Sequence, residues 1–306
     1  MQALPPIDWQ RWTGWQVPAT RFEQRREPYL RYVTYERRAS TKLGGMAMIT
    51  TELPKHAAKA KPGGLMTSTR RRLWDVLDWL SLQYSAGAPV ELFAEVWPYA
   101  LAWAEEFAGF HEAYHRSPEA DDYITPHAAL RTEDYARVAL PLVCFGLLSG
   151  HAVEMQHVMT FLDYGNEAMG VRDGLLERLV APFVPDRGSP PDTATRHLPY
   201  RKLFKIFGAA PDKRPALMAK YLDEWYHASR REPYIDQHAL ETRTDAGFYG
   251  YWSWEAAAVT WLLDIDDSSY REMPFYPRDL VDFARRNPNG VVPPSPPVKR
   301  HEDLTP

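Results

Sequence analysis

Residues 70–87 read Arg-Arg-Arg-Leu-Trp-Asp-Val-Leu-Asp-Trp-Leu-Ser-Leu-Gln-Tyr-Ser-Ala-Gly. Leu73, Leu77, Leu80 and Tyr84 step by four, three and four positions, with Trp74 alongside. That spacing lays an apolar stripe along a helix of about 3.6 residues per turn. The same period recurs outward from this stretch. Val90–His115 is rich in Ala, Glu, Leu and aromatics and predicts a long helix kinked at Pro98. Arg131–Ser149 and His151–Tyr164 predict a helical hairpin that turns at Ser149-Gly150, and Asp173–Phe183 predicts a short helix. Further on, Tyr200–Phe207, Asp212–Arg230, Gly247–Leu263 and Arg278–Arg286 are expected to be helical, with Asp212 as an N-cap and Pro215 in the first turn. Alternating β-branched runs are few. The fold class is therefore all-α: helical hairpins or bundles in two packed subdomains with little or no β structure.

Breaks in this pattern set the expected domains. Val184–Pro199 holds four prolines and Gly188, which is linker chemistry. It separates a helical domain over 70–183 from one over 200–286. Residues 1–69 form a basic N-terminal extension in which Thr41–Thr69, rich in Gly, Lys and Thr, predicts a mobile loop. Residues 287–306 hold six prolines and predict an open tail. With 306 residues, 45 % of them apolar, the chain can bury a sizeable core. Its eleven Trp residues serve that core or anchor an interface.

Charge is distributed unevenly. Residues 1–75 carry net +8, residues 76–214 net −7 and residues 215–285 net −6. An acidic body repels polyanions, so Arg25-Arg26, Arg37-Arg38 and Arg70-Arg71-Arg72 make a poor nucleic-acid site despite their charge. No apolar run reaches the length of a membrane span, and Met1–Trp15 lacks the pattern of a signal peptide. The single cysteine, Cys144, lies in an apolar run. It reads as core rather than nucleophile and suits a reducing, cytoplasmic setting.

Three clusters offer chemistry. His111-Glu112-Ala113-Tyr114-His115 fits H-E-x-x-H, where two histidines one turn apart hold zinc and the Glu activates water. Its surroundings argue against a zinc metallohydrolase, because Arg116 and Ser117-Pro118 follow at once and only Glu133 offers a third ligand by spacing. Exposed helix-end histidines are the simpler expectation. Asp264-Ile265-Asp266-Asp267 resembles a cation loop but lacks the Gly and closing Glu of an EF-hand, so capping and turn roles fit better. Glu255, inside Trp252-Ser253-Trp254-Glu255-Ala256-Ala257-Ala258, is a carboxylate on an apolar face and requires an internal donor such as Trp, Tyr, His or Arg. No P-loop, dinucleotide or hydrolase motif is found, and neither cofactor nor metal is expected.

The run Phe248-Tyr249-Gly250-Tyr251-Trp252-Ser253-Trp254-Glu255-Ala256-Ala257-Ala258-Val259 has a further significance. With Leu263–Ser268, Phe275–Val281, Tyr221–Tyr226 and His238, it resembles the C-terminal domain of the PoNi family, immunity proteins against PoNe-type DNases. Leu80–Gly87 is similar to that family's other domain, so the likeness covers about residues 70–285. The resemblance implies an all-helical, non-enzymatic protein that neutralises a secreted antibacterial nuclease, often one delivered by a type VI secretion system. It implies structural roles for Gly250, Trp252, Glu255 and Asp279. The partner is then a basic nuclease toxin rather than nucleic acid or membrane. The acidic positions Glu241, Asp245, Asp264, Asp266 and Asp267 are the expected contacts.

Overall fold

The computed structural model describes residues 4–120, 134–164, 171–240 and 247–287. Among them every regular element is helical, so the chain is all-α. A short helix α1 (Trp9–Gly14) and a 3-10 turn (Ala19–Gln24) lead into three long helices, α2 (Tyr32–His56), α3 (Pro62–Ala86) and α4 (Glu91–His115). α3 packs between α2 and α4.

The expected mobile loop over Thr41–Thr69 is instead the second half of α2 and the start of α3. Glycine and threonine weaken a helix by propensity, but packing overrides that term. Leu43, Met46 and Leu53 of α2 are buried, as are Leu65 and Met66 of α3. Gly45 has a positive use: a Cβ there would stand 3.2 Å from Asp75 Oδ2, so its absence lets α2 approach α3.

α4 runs unbroken through Pro98. Proline has no N–H, so the Ala94 carbonyl loses its helical donor. His151 supplies one, with Nε2 lying 2.9 Å from that oxygen and its ring stacked on Trp97 at 4.9 Å. The contact requires the proton on Nε2. Burial pushes the imidazole pKa below its ordinary value.

A π-turn (Tyr135–Ala139) opens into α5 (Leu140–Leu148), every residue of which is buried. The turn at Ser149-Gly150, with Gly150 at φ +89°, then reverses the chain into α6 (Met155–Asp163), giving the expected hairpin. α7 (Gly174–Val180) is capped by Asp173, which accepts from the N–H groups of Leu175 and Leu176. The proline-rich segment 184–199 lies against α7: Gly174 N donates to Thr193 O at 2.7 Å, and Arg187 pairs with Glu177 and Asp163.

α8 (Phe204–Phe207), α9 (Arg214–Ala228), α10 (Trp254–Leu262) and α11 (Arg278–Arg286) follow. α10 packs on α5 and α11. Two expectations shift here. Asp212 is not an N-cap: it lies in a 3-10 turn and pairs with Lys213, and α9 begins at Arg214 with Pro215 in its first turn. The helix expected from Gly247 begins only at Trp254, because Gly250 adopts φ +108°. Apolar residues from the N-terminal extension (Trp12, Phe22, Tyr35), from α3–α7 and from α9–α11 join one contiguous buried cluster.

His151→Leu leaves the Ala94 carbonyl without its donor and is expected to cost about 1–3 kcal/mol. The pH dependence has a defined sign. A folded-state pKa below that of the unfolded chain means the unfolded chain binds the proton first as pH falls through about 6.5. Wild-type stability should therefore fall from pH 7 to pH 5, and the variant should lose less over that window. Thermal unfolding followed by circular dichroism at the two pH values measures both effects.

Candidate functional site

The two motif stretches, 80–87 and 248–259, meet at the C-terminal end of α3. Ser85 Oγ donates to Tyr249 O at 2.6 Å and accepts from Trp252 Nε1 at 2.8 Å. A Cβ on Gly250 would lie 2.1 Å from that hydroxyl, so no other residue allows the approach. The Ser85 carbonyl accepts from the N–H groups of Arg26 and Glu27, and Glu27 Oε2 in turn accepts from Tyr251 N at 2.9 Å. Arg26 bonds Asp279 and the carbonyls of Tyr84 and Ala88, with its guanidinium over the Tyr84 ring. Gly250, Trp252 and Asp279 are thus held in one junction with residues of the N-terminal extension.

Beside the junction is a half-open cavity of about 640 Å³ between the α2–α3 side and the α9–α10 side. One wall is charged. Lys42 Nζ lies 3.0 Å from Asp75 and 2.8 Å from Asp78, Arg137 binds Asp78, and Arg71 binds Asp75. Burial alone would lower the Lys42 pKa, but Asp78, Tyr249 and Asp75 outweigh it and hold the ammonium above its ordinary range. Burial likewise favours neutral Asp78, but Lys42 and Arg137 hold its pKa low. Trp74 carries the guanidinium groups of Arg70 and Arg137 at 4.2 and 4.1 Å.

The opposite wall holds Glu255. Its Oε1 accepts from Tyr221 Oη (2.7 Å), Trp225 Nε1 (2.7 Å) and Ser253 Oγ (2.8 Å). The donors are the kinds the sequence required, with a serine added. Burial pushes the carboxyl above its ordinary value, and these bonds offset part of that shift.

The acidic loop after α10 divides in two. Asp264, at φ +46°, and Asp266 are exposed, and Asp266 accepts from Ser268 N in a tight turn. Asp267 is buried and bound by Arg285, Arg271 and Tyr276, so its carboxylate faces inward. Glu241 and Asp245 lie outside the described residues, as does Glu133. His111 is buried rather than exposed, because α4 turns that face toward Phe107 and Tyr164, and its ring lies 4.6 Å from that of His115. Glu112 is engaged by Arg116. Among the described residues no three His, Cys, Asp or Glu side chains come together as metal ligands. Cys144 is fully buried, which pushes its thiol pKa well up.

Residues 171–280 match the family model for PoNe immunity proteins (PoNi), C-terminal. This stretch is similar to the C-terminal domain of PoNi proteins. The PoNi match runs from just before α7 into α11 and includes Gly250, Trp252, Glu255 and Asp279. No curated protein matches the chain. The fold as a whole is similar to the crystal structure of protein PA2201 from Pseudomonas aeruginosa, with a TM-score of 0.67 and 17 % identity. That likeness covers 91 % of this chain and 95 % of the other, and it is one of fold.

The charged wall was not legible as a site. Its one sequence signal was Asp75 and Asp78 on a helix apolar on nearly every side. Asp78→Ala would leave Lys42 and Arg137 without their shared carboxylate and is expected to cost about 3–5 kcal/mol. Arg71→Ala removes a side chain that is 57 % exposed and should cost under about 1 kcal/mol. Urea unfolding of the two variants compares them.

Proposed function

We propose that this chain is an immunity protein that binds and neutralises a cognate nuclease toxin of the PoNe class, without a reaction of its own. The observation that carries this reading is the PoNi match over 171–280, inside a fold continuous with the rest of the chain. The complex would act by covering the toxin's active site or DNA-binding face. A cytoplasmic location and delivery of the toxin by a type VI secretion system belong to the same reading.

Charge supports it. Residues 76–214 and 215–285 carry net −7 and −6, and a surface that binds DNA is basic. Several carboxylates are committed to internal ion pairs, among them Asp78, Glu177 and Asp267. The contact is therefore assigned to the exposed Asp264 and Asp266 and to Glu241 and Asp245. Charges at the rim of such an interface steer association over about a Debye length, roughly 8 Å at physiological salt.

Asp264→Lys/Asp266→Lys and Glu241→Lys/Asp245→Lys should each slow association with the toxin by about tenfold at low salt, with smaller changes in dissociation. Raising the salt should shrink the difference. Stopped-flow kinetics across a salt series provides the test, with circular dichroism to confirm folding. Unchanged association rates for both folded variants would remove these two loops from the interface.

A further inference from the structure

We propose that the cavity beside the junction is a receptor for one basic side chain, with Glu255 as its counter-ion. This rests on the immunity reading and names the toxin's lysine or arginine as the occupant. Three observations converge on a cation. First, Glu255 is 1 % exposed, yet it lines the cavity, and among the described residues no ion pair reaches it. The three side-chain hydrogen bonds it accepts, from Tyr221, Trp225 and Ser253, all end on Oε1 and all come from neutral donors. A buried carboxylate without a cation is costly, and an arriving ammonium or guanidinium removes that cost.

Second, the surrounding walls are aromatic: Trp74, Tyr200, Trp225, Tyr234 and Tyr249 line the same space. Ring faces attract cations, most strongly where water is excluded, and Trp74 and Tyr249 already carry Arg70, Arg137, Lys42 and Arg38 in this way, so the arriving cation is assigned to Tyr200 and Tyr234. Trp225 and Tyr234 are stacked 5.7 Å apart, which fixes one flank of the space. Third, the cations already present are committed elsewhere. Lys42, Arg71 and Arg137 each bond Asp75 or Asp78 on the charged wall. An incoming anion would have to displace those pairs, whereas an incoming cation finds Glu255 in place. An acidic inhibitor meeting a basic nuclease presents the cavity with such side chains.

The purified full chain is titrated with n-butylammonium and ethylguanidinium at fixed ionic strength, by calorimetry and tryptophan fluorescence. n-Butanol and butyrate are the neutral and anionic controls. Both cations should bind saturably in the millimolar range, and the controls at least about tenfold more weakly. Glu255→Gln keeps an acceptor oxygen for Tyr221 and Trp225, and should melt near wild type but lose the cations by about tenfold or more. Should that variant fail to fold, Tyr234→Leu against Tyr234→Phe asks the same question, since only the phenylalanine keeps a ring face. Butanol binding as well as the cations, butyrate binding better, no saturable binding, or indifference to these substitutions would each overturn the proposal.

A candidate PoNe-class toxin supplies the second arm. Glu255→Gln should weaken its binding about tenfold or more, through faster dissociation. A toxin that does not bind the wild-type chain defeats the immunity reading, while the probe titration still decides whether the cavity takes a cation. Equal toxin affinity for wild type and Glu255→Gln would overturn the assignment of the occupant.

Discussion

The hydroxyl of Ser85 is the contact on which the arrangement of this molecule depends. It gives a hydrogen bond to the Tyr249 carbonyl and takes one from the Trp252 indole, and Gly250 passes it at a distance that excludes a Cβ. Through that contact the end of α3 fixes the segment that leads into α10. The N-terminal extension closes the junction from the other side, with Arg26 bonding Asp279 and Glu27 receiving Tyr251 N. Residues about 250 positions apart in the chain therefore share one polar knot beside the apolar core. Each bond contributes modestly, about 1 kcal/mol net, but leaving any of these buried groups unmade would cost more.

What the junction positions is a cavity with two dissimilar walls. On one, two carboxylates pair with three cations and leave one positive charge in excess. On the other, a carboxylate is held by an indole and two hydroxyls, whose bonds offset part of the upward push of burial on its pKa. Phe275 supports this wall. It adopts φ +70°, unusual for a bulky side chain, accepts Ser253 N on its carbonyl and packs against Trp225. Shape and charge are set by the fold before any partner arrives, which lowers the entropic cost of binding.

Much of the helical pattern could be read from the residues because periodicity reports burial. Residues 70–87, 90–115 and 278–286 show their helices in this way, as does the reversal at Gly150. Where reading failed, tertiary packing had overridden local preference. Thr41–Thr69 looks weak as a helix, and only the approach of α2 to α3 across Gly45 shows why it is not. The donor for the Ala94 carbonyl, which Pro98 cannot supply, comes from His151, more than fifty residues away, and no local signal shows it. Glu255 was legible, because a lone acid among Trp and Ala residues demands a partner. The Lys42–Asp78–Arg137 wall was not, because its members come from three distant stretches and each alone looks like an ordinary helical charge. The Asp264–Asp267 cluster looked uniform in sequence but is half surface and half internal, since Arg271 and Arg285 reach back to Asp267.

The central claim is stoichiometric protection against a nuclease. Its most direct test is cleavage of plasmid DNA by a candidate PoNe-class nuclease, with the purified chain titrated in at enzyme concentrations well above the dissociation constant. Cleavage should fall linearly and reach zero at one equivalent, with no recovery on prolonged incubation and no change in the inhibitor's mass. Cleavage that continues unchanged at several equivalents, or that stops at a small fraction of one equivalent as a catalyst would achieve, would contradict it.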